Sequence, residues 1–245
     1  MTHANGRVES SVPWVRTYHS NEPLATTAPD RWQANNWIFV SRSHAKANGK
    51  KRFVYNGIDP QELVYSESKD DYFLFAVSHL SRAQSKGMAI AMKLQERCGF
   101  RLIIAGDTDD DVAEWRQNYG SPHIEFAGWI QGRRRAELFA GAKALLFPTQ
   151  LEETFGLVIA EALMSGTPVI ASDRGACPEL ITGQTGFLCS EMEDYLRAVD
   201  NVDRISPQAC RDRAMAEFHY LTMARNYVNQ YRLQMSGGAA ETEHP

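Results

Sequence analysis

Five short apolar segments recur between residues 72 and 172, and each is separated from the next by a stretch with helical periodicity. They are continuous apolar runs rather than alternating ones, which is typical of strands in a parallel sheet covered on both faces. Parallel neighbours are joined by right-handed crossovers. The pattern therefore predicts a doubly wound α/β domain that binds its ligand at the carboxyl ends of the strands. The predicted strands are 72–78, 101–106, 123–128, 144–148 and 168–172.

The chain before Tyr72 has a different organisation, with three strand-like segments and little helix between them. These segments, 12–20, 37–41 and 52–59, are too few for a second doubly wound domain. The predicted organisation is therefore a partial N-terminal domain with a linker (1–58), a Rossmann-like domain (59–219), a C-terminal helix that packs back on the N-terminal part (220–235) and a disordered polar tail (236–245).

Composition limits the class of protein. A chain of 245 residues with 43% hydrophobic residues buries enough surface to fold without disulfides or metals. The net charge of −4 gives no sign of a nucleic-acid-binding protein. None of the four cysteines forms a C-x-x-C pair, so neither a zinc site nor a disulfide framework is indicated. The chain shows no transmembrane-length apolar run and no signal peptide, so the expected location is the cytoplasm.

Two glutamates flank the tripeptide Phe-Gly-Leu at the fourth predicted crossover. We expect a helix to begin near Phe155, so that the first-turn amides lack intrahelical partners and favour an anion such as a diphosphate. Gly156 lets a ligand approach the backbone closely. Glu161, about two turns along, is placed to accept hydrogen bonds from ribose hydroxyls, and Glu153, before the helix, from sugar hydroxyls.

A structural alternative exists for both carboxylates. Glu153 would then only cap the helix, and Glu161 would be a solvated or salt-bridged residue. The neighbours of Glu161 are apolar on nearly all sides of the helix. A carboxylate there is costly to bury without a partner, which favours a functional interpretation.

The segment 152–190 resembles the conserved motif of the retaining family-four glycosyltransferases, which have the GT-B fold. The family pattern is E-x-F-G-L-x-x-x-E-A-x-x-x-G-x-P-V, followed by a glycine-rich segment, P-E and T-G-F-L. The positions that match in order are Glu153, Phe155, Gly156, Leu157, Glu161, Ala162, Gly166, Pro168, Val169, Pro178, Glu179, Thr185, Gly186, Phe187 and Leu188. The resemblance covers roughly residues 12 to 233.

The resemblance implies transfer of a hexose from a nucleotide sugar to a hydroxyl of a glycan, lipid or other acceptor, with retention at the anomeric carbon. It implies no metal and no other cofactor. Lys86 would neutralise the diphosphate, Glu153 would orient the sugar, and His19, in a T-x-H segment, would reach toward the donor sugar. The other substrate-binding residues that it implies are Arg82, Thr154, Phe155, Gly156, Leu157 and Glu161.

The chain departs from the family pattern in three places, of which Gly175-Ala176 in place of a Gly pair is a mild one. Ser78 and His79 stand where a Gly-Arg pair is usual. Arg82 then either supplies the missing cation from a shifted position or is a solvent-facing loop residue. The first domain is represented only by its last part, so a second polypeptide is a candidate partner and weak activity or inactivity is an open outcome. His19 itself has the alternative of a polar loop residue.

Three further interpretations stay open. The basic run 132–139 is read as a solvated helix face in preference to a membrane-surface patch; peripheral association with a membrane is the alternative to a purely cytoplasmic location. The chain could also be a non-catalytic nucleotide-sugar-binding module, or half of a split enzyme. A nucleotide-sugar epimerase of the same fold is the remaining alternative, against which the 152–190 motif argues.

Overall fold

The computed structural model describes residues 12–27, 36–106, 113, 116–117 and 119–236. This part of the chain contains two parallel sheets, one of two strands and one of six. Their strands are β1 Arg16–Tyr18, β2 Trp37–Phe39, β3 Phe73–Ala76, β4 Leu102–Ala105, β5 Ile124–Gly128, β6 Ala144–Phe147, β7 Val169–Ser172 and β8 Gly186–Cys189.

Helices connect the strands and cover the large sheet. The described α-helices are α1 Leu24–Thr27, α2 Arg42–Ala47, α3 Met88–Cys98, α4 Gly132–Gly141, α5 Leu157–Met164, α6 Cys177–Leu180, α7 Met192–Asn201, α8 Pro207–Glu217 and α9 Tyr220–Met235. Among the described residues, no helix combines the length and apolarity needed to cross a membrane.

The large sheet has the order β5-β4-β3-β6-β7-β8, and all its strands are parallel. Every residue of β3, β4, β6 and β7 is buried, because helices cover both faces of the sheet. The five strands expected from the apolar segments are confirmed. The sixth strand, β8, lies at the edge and was not predicted.

Two apolar cores lie on the two faces of this sheet. On one face α4, α5 and α8 pack against it through side chains such as Phe139, Ile159 and Ala214. On the other face α3 and α7 pack through residues such as Leu94 and Tyr195. The doubly wound α/β fold predicted from the sequence is therefore confirmed.

The small sheet pairs β1 with β2, with Thr17 opposite Ile38. The predicted third strand at 52–59 is wrong as a strand, since its pairing with described residues is limited to two isolated bridges, from Phe53 to β2 and from Ile58 to His219. The chain leaves the small sheet here and crosses to the large one. This change of partner after Val54, whose amide bonds to the Phe39 carbonyl oxygen at 2.8 Å, prevents a continuous ladder.

Several contacts join the small sheet to the rest of the molecule. Helix α9 contacts it through a 2.8 Å hydrogen bond between Tyr227 Oη and Thr17 Oγ1. The Glu179 carboxylate of α6 accepts hydrogen bonds from the Arg42 amide at 2.9 Å and from the Tyr55 hydroxyl at 3.0 Å. The division into domains stays a prediction, and residues 237–245 of the predicted tail lie outside the described residues.

Candidate active site

The candidate site lies where the strand order of the large sheet reverses. The chain runs outward from β3 to β4 and β5, then returns to the other side of β3 as β6. The helices that follow β3 and β6 therefore lie on opposite faces of the sheet. The loops that lead into them meet at the carboxyl edge, and this is where open α/β sheets bind ligands. Lys86 belongs to the first loop, and Glu153 and Gly156 to the second.

Close backbone packing holds the two loops together. The amide of Gln150 donates to the Ser85 carbonyl oxygen at 2.8 Å. Gly87 has a φ of +89°, and a Cβ there would lie 1.9 Å from the carbonyl oxygen of Pro148. A side chain at residue 87 would push the loops apart, so this glycine fixes the position of the neighbouring Lys86.

Lys86 and Glu153, both predicted as catalytic, form an ion pair across the loops. The Lys86 Nζ donates to Glu153 Oε2, and their side chains are 20% and 8% exposed. The Lys86 ammonium also lies 5.5 Å from the ring centroid of Phe147 at the end of β6. Each charge is thus partly removed from water and neutralised by the other, which is the condition for keeping a carboxylate buried.

The loop after β7 fixes the main chain of Glu153 from a third side. The amide of Ala176 donates to the Glu153 carbonyl oxygen at 2.9 Å. Gly175 packs so closely that a Cβ on it would lie 2.3 Å from the Glu153 nitrogen. The carboxylate of Glu153 is therefore held at the sheet edge by its backbone as well as by Lys86.

The helix predicted to begin near Phe155 is present, and its first residue is Leu157 with Gly156 as the N-cap. Phe155 is 1% exposed and packs in the core against the rings of Tyr55 and Phe218. The chain then turns into the helix through Gly156, whose φ is +86°. Phe155 thus anchors the loop, and its side chain does not line the site.

The consecutive amides of residues 155–158 donate no hydrogen bond to any residue in the described part of the chain. Amides at a helix start carry partial positive charge, and anions bind there. Leu157, the first helical residue, is 50% exposed. These amides therefore give the site a second group of donors beside the Lys86–Glu153 pair.

Glu161 lies further along α5, and its side chain is 13% exposed. Its Oε2 accepts a hydrogen bond from Nη2 of Arg135 on α4. Burial raises the pKa of Glu161 above its usual value, while the guanidinium of Arg135 opposes that shift. The interpretation of the basic run as a solvated face is wrong for Arg135, whose side chain is 30% exposed, but it fits Arg133, which is 90% exposed and pairs with Glu137.

The remaining predicted site residues lie around these groups. The Thr154 hydroxyl donates to the main-chain carbonyl oxygen of His19 at 3.5 Å, which brings the segment after β1 to the start of the α5 loop. Arg82 is exposed in the loop after β3, and its carbonyl oxygen accepts the Lys86 amide at 3.0 Å. His19 is also exposed. Lys86 contacts Glu153 directly, and Thr154 contacts His19; the roles of all the predicted site residues stay predictions.

Sequence reasoning missed Arg135. The sequence offered one signal for it: Arg135 lies four residues before the aromatic Phe139, and residues four apart share a helix face. Phe139 is fully buried in the structure, so Arg135 lies next to the buried face of the helix. In the described ranges no group of three or more His, Cys, Asp or Glu side chains is placed to hold a metal ion; independence from a metal stays a prediction.

The parallel sheet reverses its strand order beside β3, and helices cover both of its faces. This arrangement places the protein in the Rossmann-like class of folds, which bind ligands at the carboxyl edge of the sheet. A family model narrows this class: the chain belongs to the group 1 glycosyl transferases, whose model matches residues 72–203, more than half of its 245 residues.

Relatives and solved structures agree with this family. An uncharacterised glycosyltransferase of Methanocaldococcus jannaschii is 29% identical over 216 residues, and a phosphatidyl-myo-inositol mannosyltransferase of Mycobacterium tuberculosis is 26% identical over 207 residues. Each match covers 76% of this chain, which spans 55% of the length of either relative.

Two solved structures share the GT-B fold with this chain. AviGT4, a glycosyltransferase involved in avilamycin A biosynthesis, superposes with a TM-score of 0.75 at 24% identity, covering 92% of this chain and 69% of AviGT4. HepE of Anabaena, in complex with UDP-glucose, superposes with a TM-score of 0.71 at 20% identity, covering 91% of this chain and 72% of HepE. Both likenesses show the fold.

Proposed function

We propose that this glycosyltransferase takes a hexose from a nucleotide sugar and transfers it to an acceptor hydroxyl with retention of the anomeric configuration. The observation that carries the proposal is the Lys86–Glu153 pair beside the unbonded amides of residues 155–158. These groups offer positive charge for a diphosphate and a carboxylate for a sugar within one corner of the sheet. HepE, which has the same fold, was solved with UDP-glucose, and this supports a nucleoside diphosphate sugar as the donor.

Donor binding rearranges the ion pair in this proposal. Lys86 leaves Glu153 and contacts the diphosphate, where the helix amides also donate hydrogen bonds. Glu153 then accepts hydrogen bonds from the hexose hydroxyls. Each group exchanges one charged or polar partner for another, so that neither is left buried without one.

Transfer breaks the bond between the anomeric carbon and the diphosphate oxygen, and the bonding electrons stay on the diphosphate. Lys86, Arg82 and the amides at the helix start stabilise this developing charge, which is the main form of catalysis available to fixed donors. Retention requires the acceptor oxygen to reach the face that the diphosphate leaves. The acceptor proton therefore passes to the departing diphosphate.

The other predicted residues take the remaining roles. Glu161 holds the ribose, and Thr154 and the backbone of residues 155–157 line the diphosphate. His19 approaches the sugar from the side of the small sheet, since its carbonyl already contacts Thr154. Residues 59–219 form the nucleotide-sugar-binding unit in this proposal, and the segment 1–58 belongs to the acceptor side.

Ligand-dependent stabilisation tests the donor site. A ligand that binds only the folded state at about 100 times its Kd raises the free energy of unfolding by about 2.7 kcal/mol. We expect this stabilisation with at least one of uridine, guanosine and adenosine diphosphate, and a smaller one with the matching monophosphate. If none of the three diphosphates at millimolar concentration shifts the thermal transition, the donor site is wrongly assigned.

Transfer is tested with the best-binding nucleotide sugar and a panel of lipid, sugar and protein acceptors, with the anomeric configuration of the product read by NMR. An α-linked product from an α-linked donor supports retention, and inversion refutes it. Donor binding without turnover by the purified monomer would favour the alternative of a nucleotide-sugar-binding module. Turnover that appears only when a second polypeptide is added would support the predicted partner.

A further inference from the structure

The ion pair between Arg135 and Glu161 joins two helices at the candidate ribose site. Arg135 Nη2 donates to Glu161 Oε2, and the two side chains are 30% and 13% exposed. The second carboxylate oxygen, Oε1, accepts no hydrogen bond from a described residue and is still reached by solvent. The carboxylate is thus held at one oxygen and open at the other.

The helix that carries Arg135 restricts the guanidinium. Ala136, Phe139 and Ala140 bury one face of α4, and Arg135 lies at the margin of that face, four residues before Phe139. Its guanidinium carbon is 5.1 Å from the Phe139 ring centroid. Stacking on an aromatic ring and bonding to a carboxylate together select one orientation of the planar guanidinium.

Charge also distinguishes this pair from a surface ion pair. Burial raises the pKa of Glu161, and the nearby carboxylate of Glu62 raises it further, while Arg135 alone opposes both. An ionised carboxylate offers about four lone-pair sites, and a protonated one offers fewer. With one site occupied by Arg135, an ionised Glu161 still has room for two ribose hydroxyls.

We propose that Arg135 is a positioning residue for ribose recognition: it fixes Glu161 at Oε2 and keeps the carboxylate ionised, so that the remaining acceptor sites face the ribose hydroxyls of a nucleoside diphosphate. The inference rests on the proposed function, since it assumes that Glu161 contacts ribose. It differs from a purely structural ion pair, which would stabilise the packing of α4 on α5 without any effect specific to the ribose.

The test compares ribonucleotide and 2′,3′-dideoxyribonucleotide affinities by titration calorimetry, using the diphosphate that the parent protein binds best. The two nucleotides differ only in the ribose hydroxyls, so the ratio of their affinities measures the contribution of those hydroxyls. Both carry the same diphosphate, so the effect of its titration on affinity cancels in the ratio. Arg135→Gln removes the charge. Arg133→Gln is the matched control, because it changes an arginine of the same helix whose side chain is 90% exposed.

For the parent protein and the control, we expect the ribonucleotide to bind about tenfold to a hundredfold more tightly than its dideoxy analogue at both about pH 6 and about pH 8.5. For Arg135→Gln we expect that ratio to fall below about tenfold, and to fall further at the lower pH than at the higher pH. Without Arg135, burial and the Glu62 carboxylate raise the pKa of Glu161 unopposed. Arg135→Lys, which keeps the charge but not the planar guanidinium, should give a ratio between those of the parent protein and Arg135→Gln. If the glutamine variant does not fold, an Arg135→Lys ratio equal to that of the parent protein overturns the inference.

If the ratio of ribonucleotide to dideoxyribonucleotide affinity is unchanged in Arg135→Gln, the inference is overturned and the proposed function is left intact. The same holds if the ratio in Arg135→Lys is as low as in Arg135→Gln. Equal losses of affinity for both nucleotides, or a lowered ratio that is the same at both pH values, would show a structural role and overturn it as well. If the parent protein binds no nucleoside diphosphate, the proposed function fails and this inference fails with it.

Discussion

The Lys86–Glu153 pair gives the sharpest test of the site, because its two members differ in burial. The substitution Lys86→Met leaves the Glu153 carboxylate, which is 8% exposed, without its partner. Breaking a buried ion pair in this way costs about 3–5 kcal/mol. Lys86 itself is 20% exposed, so water reaches the pair. We therefore expect a loss of unfolding free energy at the lower end of this range, about 3 kcal/mol.

The reverse substitution should be milder. Glu153→Gln keeps the shape of the side chain, and the partly exposed ammonium of Lys86 can turn toward water, so we expect a loss of about 1 kcal/mol. The double variant removes both charges and should recover about 2 kcal/mol relative to Lys86→Met alone. Under the proposed function it should nevertheless bind a nucleoside diphosphate much more weakly, since the cation proposed to contact the diphosphate is gone.

Urea unfolding followed by circular dichroism measures these free energies, and calorimetry measures diphosphate binding. For a chain of this size, a loss of about 3 kcal/mol corresponds to a fall of roughly 6–12 °C in Tm. Lys93→Met is the control, because Lys93 is an exposed lysine on α3. A Lys86→Met variant within about 1 kcal/mol of the parent protein, the value of an exposed pair, would refute the buried-pair reasoning.

Three further predictions concern single substitutions, at Glu161, Gly156 and His44. Glu161→Gln should weaken nucleoside diphosphate binding about tenfold to a hundredfold in calorimetry; normal binding would exclude the ribose contact. Gly156→Ala should lower the unfolding free energy by about 1–2 kcal/mol, because its φ is +86° and a Cβ there would lie 2.9 Å from Ile159 Cδ1. It should also weaken diphosphate binding, because the side chain would obstruct the approach of a ligand to the backbone. Gly49→Ala, at a φ of +65° in open space, should show only the backbone part of the stability loss. Burial lowers the pKa of His44 from 6.5 to about 4, so the folded state should lose about 3 kcal/mol as the pH falls from 6.5 to 4. His44→Gln should lose about 3 kcal/mol less than the parent protein over the same pH range in urea titrations, and an equal loss in both proteins would contradict it.

The interior of the large sheet could be predicted from the sequence because burial on both faces demands unbroken apolar runs. β3 and β6 show this pattern, and every residue in them is buried. β8 has only two buried residues out of four, since it is an edge strand, and its apolar signal is correspondingly weak. The segment 52–59 carries a good strand signal, yet its backbone partners change midway, which no local pattern reveals.

The same distinction applies to the candidate site. The positions of Glu153, Gly156 and Glu161 relative to the start of α5 could be predicted from the sequence, because they depend on local spacing. The true start at Leu157 depends instead on the anchoring of Phe155 between rings that are distant in sequence. The partnership of Arg135 with Glu161 likewise arises from the packing of two helices, so the basic run alone did not indicate it.

The two places where the chain crosses between the sheets lie side by side. Ile58 donates its amide to the Phe218 carbonyl oxygen at 2.7 Å, and the Tyr220 amide donates back to the Ile58 carbonyl oxygen at 3.1 Å. Because the two crossings are hydrogen-bonded to each other, they brace one another where the chain leaves the large sheet. Lys86 and Glu153 both follow strands of the large sheet, so one sheet carries both side chains. His19 lies on the other side of the crossings, so its separation from Lys86 and Glu153 depends on how firmly the small sheet is held against the large one.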